Sequence, residues 1–248
     1  STAAWACTTS SFDGGCDFAD PAVYGSNTTG ASSVRNQIWG PVPGESSVMR
    51  ANGLQDWQDT ITVPAGNTSV TGWPDSQVTV TTWSQSAGMQ PDPLTNYSSL
   101  VSTLTLASQD VPGAAYDNGF DVWGGPSGTN NDYAYEMMIW TDQRNRGTCG
   151  DVTVLGRATF GGDTYTLCRN GPAGATSEYI WYHSDSSGNP VNQATTTVDI
   201  YAMVQWMIAQ GYYPSGYGLN QVTVGSEVCS TGGAPETVTL SGWTLTAN

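Results

Sequence analysis

The chain has 248 residues, of which 11% are charged, with six Lys and Arg against 21 Asp and Glu and a net charge of -15. That length suits one all-β domain. The charge balance excludes nucleic acid, whose phosphates need clustered cations, and an anionic membrane surface. Thirty Gly and 13 Pro beside ten Trp and 12 Tyr describe a folded chain rich in turns and strands, and no apolar run reaches the ~18 residues of a membrane-spanning helix.

From the N-terminus, Ser1-Thr2-Ala3-Ala4 reads as a mature end left by a cleaved leader, so the protein is expected to be secreted, extracellular. The five cysteines are most simply paired as Cys7–Cys16 and Cys149–Cys168, with Cys229 left as a free, buried thiol. With one His and no C-x-x-C spacing, no metal and no cofactor is expected. Strand-like runs follow at Gln77–Trp83, Ser99–Leu106, Ala134–Thr141, Val152–Phe160, Asp163–Cys168, Glu178–His183, Asn220–Glu227 and Thr237–Thr246. Each is bounded by Gly, Pro, Asn, Asp or Ser, the punctuation of a sandwich or barrel, and Gly161-Gly162 reads as a hairpin turn. The pattern changes once. Thr197–Gln210 carries Val198, Tyr201, Val204 and Ile208 at helical spacing, with Thr196 or Thr197 as cap and Gly211 as stop. One helix among many strands predicts a β-sandwich with a helix packed on an outer face. No linker interrupts the chain, so residues 1–248 are expected to form a single domain, and the protein to be a monomer.

The chain has only five Glu. Glu45, Glu178 and Glu236 lie in turns or at a strand start and read as solvated groups. Glu136 lies inside an otherwise apolar strand, where alternation gives it one face with Met138 and Trp140 while Tyr135, Met137 and Ile139 take the other. In Asn220–Glu227, Val222 and Val224 point to the core, which sends Gln221, Thr223 and Glu227 to the polar face. Two Glu from different strands facing one cleft form the carboxylate pair that glycoside hydrolysis requires. The lone His183 reads as a satisfied strand residue.

Tyr135-Glu136-Met-Met-Ile-Trp140 resembles the nucleophile strand of glycoside hydrolase family 12, and Gly225-Ser-Glu227-Val is similar to that family's acid/base strand. Asn36-Gln37-Ile-Trp39-Gly40 resembles its N-terminal Asn-x-Trp-Gly motif, and Phe120-Asp121-Val-Trp123 its Tyr-Asp-Ile-Trp motif. The four occur in the family's order. The resemblance implies a secreted endo-β-1,4-glucanase, and a β-jelly-roll of two curved antiparallel sheets with an open substrate cleft on the concave sheet. It also implies a β-glucan polysaccharide substrate, either cellulose-type, mixed-linkage or xyloglucan. Glu136 would be the nucleophile and Glu227 the acid/base of a retaining mechanism, the first ionised and the second protonated. Asp121 would support the nucleophile, with Asp117 as competitor because both share strand parity. Trp39, Gln37, Asn36, Met138 and Trp140 would contact sugar. The sequence departs from the family at Gln37, where the motif has Asn, and at Val228-Cys229, where it has Pro and an aromatic residue. Two other readings remain open: an acid glutamic peptidase, also built from Glu and Gln on a β-sandwich, and a non-catalytic carbohydrate-binding lectin.

Overall fold

The computed structural model describes residues 4–12, 14–18, 32–84, 88–129, 133–146, 153–173 and 178–248, with side chains outside 81–89. In chain order the strands are β1 (Cys7–Thr9), β2 (Gly15–Asp17), β3 (Ser32–Arg35), β4 (Ser46–Gly53), β5 (Asp56–Thr62), β6 (Asp75–Thr79), β7 (Thr81–Ser84), β8 (Gly88–Pro93) and β9 (Leu100–Ser108). They continue as β10 (Ala114–Pro126), β11 (Tyr135–Arg144), β12 (Thr153–Phe160), β13 (Asp163–Asn170), β14 (Glu178–His183) and β15 (Thr195–Asp199). Helix α1 (Ile200–Ala209) precedes β16 (Tyr217–Thr231) and β17 (Glu236–Ala247).

Two sheets form the sandwich. The smaller runs β1-β4-β5-β17-β9-β15, and the larger β12-β13-β14-β11-β10-β16-β6-β3-β2, with β8 joined to β16 and β7 to β8. Among the described residues all strand pairs are antiparallel but one, β11 with β14, so the sheets are antiparallel as expected apart from that pair. The core between them holds Trp57, Trp181 and Trp243, all essentially unexposed. Buried indoles need a partner for their N–H. Trp57 of β5 donates to Ser76 of β6 at 2.8 Å, which ties the two sheets together, and Trp243 donates to Ser102 at 3.0 Å.

The helix differs from its sequence reading at the start. Thr195–Asp199 is strand, paired with β9, because a run of β-branched residues beside an open sheet edge favours strand over helix. Asp199 caps α1, its side chain accepting from the Ala202 N–H at 3.2 Å. With the start moved to Ile200, the buried stripe is Ile200, Met203, Val204 and Met207 rather than Val198, Tyr201, Val204 and Ile208. Gly211 follows the helix at φ +76, the left-handed stop expected of it. The helix packs on the side of the larger sheet away from the cleft, where Trp206 meets Trp181 edge-on at 5.2 Å. The expected run Gln77–Trp83 is two strands, β6 and β7. Cys7 and Cys16 are joined and Cys229 is free and buried, as expected. Cys168 is disulfide-bonded; its expected partner Cys149 lies outside the described residues, as does the start of the Val152–Phe160 run.

Candidate active site

Strand β10 lies between β11 and β16 and gives Asp117, Asp121 and Trp123 to one face. Its parity survives a bulge because the extra residue, Thr141, belongs to β11, between the pairs Asn118↔Asp142 and Gly119↔Trp140. Gly119 is needed there, since a side chain would run into the Ile139 carbonyl oxygen. On one flank Glu136 lies opposite Trp123 and Met138 opposite Asp121. On the other, Glu227 lies opposite Asp117, Thr223 opposite Asp121 and Gln221 opposite Trp123. A second bulge, at Cys229, separates the pairs Tyr116↔Val228 and Ala115↔Ser230, so β16 is irregular just after Glu227.

These strands floor a cleft of about 450 Å³ lined by both Glu136 and Glu227. Gln37, Trp39 and Met138 also line it, as the sequence suggested, and Trp39 is 56% exposed. Tyr133, 49% exposed, also lines it, its ring edge-on to that of Trp123 at 5.6 Å. Strand β6 adds Asp75 and Gln77. A hydrogen-bonded chain runs along the floor: Gln221 donates to Gln77 at 3.3 Å and Gln77 to Asp75 at 3.2 Å. Trp73 donates to Thr223 at 2.9 Å.

So many carboxyls in one partly dry place cannot all be charged. Burial, followed by the charges of Glu178 and Glu227, pushes Glu136 up to about 8. Burial pushes Glu227 up to about 7 against the opposing pull of Arg146. Asp121 is held well above the carboxylate range by burial and then by Glu136, although it accepts from the Trp123 indole at 2.7 Å. Asp75 is raised by burial in the same direction. Both Glu are raised together, in different surroundings: no hydrogen-bond donor faces Glu136 among the described residues, whereas a guanidinium lies 2.8 Å from Glu227.

No protein-family model and no curated protein matches the sequence. Solved structures do. The native family 12 xyloglucanase from Bacillus licheniformis superposes with a TM-score of 0.73 at 15% identity, over 98% of this chain and 100% of that one. Endoglucanase 3 of Trichoderma harzianum, from family GH12, gives 0.74 at 18% identity, over 99% and 100%. The xyloglucanase domain of a type three effector from Sinorhizobium fredii, in complex with cellobiose, gives 0.71 at 18% identity, over 98% and 99%. The fold is that of the family 12 glycoside hydrolases.

Within this family 12 fold two expected sugar contacts do not reach the cleft. Asn36 is fully buried, drawn in by the bond from its N–H to the Gly14 carbonyl. Trp140 shares the face of Glu136 but is 5% exposed, packed with Met138, Ile180 and Tyr182 and covered by the Arg146 guanidinium 5.7 Å from its ring centre. Glu236 is not a surface group either. It is 1% exposed and raised to about 8 by burial, opposed by Arg144. Glu178 starts β14 opposite Glu136, and its charge reaches the site. His183 faces Asp163 at 3.6 Å, but its Nδ1 is buried with no hydrogen-bond partner among the described residues, so it is a strand residue as expected but not a satisfied one.

Sequence reasoning did not pick out Asp75, Gln77, Trp73 and Arg146. Arg146 is one of only six cationic residues and directly follows the Glu136 strand, the one signal that could have marked it.

Proposed function

We propose that the protein is a secreted, monomeric, retaining endo-β-1,4-glucanase that hydrolyses β-glucan chains lying along the cleft. The observation that carries this reading is the convergence of Glu136 and Glu227, from strands on either side of β10, on one cleft flanked by an exposed indole. The xyloglucanases and endoglucanase that share the fold support it.

Glu136 attacks the anomeric carbon as the Glu227 side gives a proton to the leaving oxygen, and a covalent glycosyl-enzyme forms. The Glu227 side then takes a proton from the water that releases the sugar. The mechanism needs an ionised Glu136. Its raised titration therefore predicts activity that is lost as pH falls, at a pH above the ordinary glutamate range. Trp39 and Tyr133 offer ring faces to the apolar faces of pyranoses, and the Gln221–Gln77–Asp75 chain offers donors and acceptors to hydroxyls.

A polysaccharide panel tests the reading. Reducing ends should appear, with rapid loss of viscosity, on at least one of carboxymethylcellulose, mixed-linkage glucan or xyloglucan, and not on xylan. Cleavage of casein without sugar release would replace the reading with a peptidase, and binding without turnover with a lectin.

A further inference from the structure

Asp117 and Glu227 are direct cross-strand partners on β10 and β16, and Asp117 is fully buried. Two like charges in that relation repel. One guanidinium answers both. Arg146 Nε lies 2.8 Å from Asp117 Oδ2, Nη2 lies 2.8 Å from Glu227 Oε2, and Nη1 reaches the Cys229 thiol. Two carboxylates and one guanidinium sum to one negative charge, and a single proton on the carboxyl pair makes the cluster neutral. A buried cluster favours its neutral state, because uncompensated buried charge is costly.

We propose that Asp117 and Arg146 are positioning residues for Glu227: the two carboxyls, held in place by Arg146, share one proton, and this shared proton is the one given to the leaving oxygen. This rests on the glycosidase reading above. In the first step the proton leaves the pair for the glycosidic oxygen, while the bond from that oxygen to the anomeric carbon breaks and Glu136 bonds to the carbon. The pair is then a dianion against Arg146. In the second step water gives one proton back to the pair, its oxygen bonds to the anomeric carbon, and Glu136 is released as carboxylate. Protons and charge balance over the cycle.

Burial and Glu227 hold Asp117 well above the carboxylate range against Arg146, and a hydrogen bond from Asp117 lowers Glu227, the directions expected of two carboxyls that share a proton. The other groups whose charge reaches the cluster are Asp121 from β10, Glu178 from β14, Cys229 beside Glu227 on β16, and Glu136 from β11. Glu178 and Glu136 add negative charge, which strengthens the hold on the proton.

The test compares pH profiles of kcat/KM with carboxyl titrations followed by NMR in protein labelled with ¹³C at the Glu side-chain carboxyl. Asp117→Asn removes the like charge and leaves Arg146 on Glu227, so the basic limb should move down by about one pH unit or more. Arg146→Gln removes the cation, so the basic limb should move up, and Arg146→Lys should return it toward the wild-type position. In substrate-free protein the Glu227 carboxyl should titrate in two steps in the wild type and in one in Asp117→Asn. Variants that lose turnover or melt earlier without moving the basic limb would overturn the proposal, and so would a single-step wild-type titration. A wild type that titrates in two steps yet hydrolyses no glycan would uphold the shared proton and sink the glycosidase reading instead.

Discussion

Asp59 gives the fold a pH dependence remote from the cleft. It is fully buried on β5, where the Ser47 hydroxyl lies 2.7 and 2.8 Å from its two oxygens. Burial raises it from 3.8 to about 7, against the bond from Ser47 and the charge of Arg50. A group raised on folding contributes stability that is fully present below its unfolded value and is lost as pH rises through its folded value. The window is therefore 3.8 to about 7. A rise of about three pH units at ~1.36 kcal/mol each amounts to roughly 4 kcal/mol between the two ends, and about half of that by pH ~5.5. Glu236, raised to about 8, slopes the same way. Urea unfolding from pH 4 to 7.5 should show the wild type most stable at the acidic end, with Asp59→Asn flattening the slope by on the order of Asp59's ~4 kcal/mol share. A slope unchanged by Asp59→Asn, or a wild type more stable at pH 7 than at pH 4, would refute the reasoning.

Other expectations concern the cleft. Trp39→Ala removes an exposed ring whose neighbouring backbone is held by bonds from the Trp73 N–H to the Gln37 carbonyl and from the Gly40 N–H to the Thr71 carbonyl. It should raise KM roughly fivefold, for a stacking contact on the order of 1 kcal/mol, with kcat less affected and Tm unchanged; a collapsed melting transition would make Trp39 a core residue. Burial and Glu136 hold Asp121 well above the carboxylate range, so Asp121→Asn should leave the acidic limb of kcat/KM in place, and a move of that limb to lower pH would show that Asp121 is charged at the working pH. Glu136→Ala should abolish turnover of every glycan. Glu227→Ala should spare the first step for aryl glycosides with good leaving groups, which depart without a proton; equal loss on polymer and activated substrate would remove the acid role from Glu227.

The cleft strands were legible because their alternation is clean. Val222 and Val224 could only face a core, which fixed Gln221, Thr223 and Glu227 on the other side, and the same parity argument separated Tyr135, Met137 and Ile139 from Glu136. Strands β4 and β5 were not legible: their buried face includes Ser47 and Asp59, so the apolar period is broken where these polar groups bond each other inside. The start of α1 was misread because helical spacing in Thr197–Gln210 says nothing about the β9 edge that captures Thr195–Asp199. Trp140 has the right parity for the cleft, but only the fold shows that Arg146 covers it. Arg146 itself touches Asp117 on β10 and Glu227 on β16, strands distant from it in sequence, and no local pattern encodes such a contact. Asp75 and Gln77 join the site through the pairing of β6 with β16, again a tertiary fact.

The account turns on Glu136 as a nucleophile that bonds to sugar, with Glu227 as its acid/base partner. The stereochemistry of the first product tests this most directly, because double displacement retains the anomeric configuration and single displacement inverts it. Proton NMR of a β-glucan oligosaccharide mixed with the protein should show the β-anomer of the new reducing end first, with the α-anomer growing in only as mutarotation proceeds. An α-anomer appearing first would contradict the account.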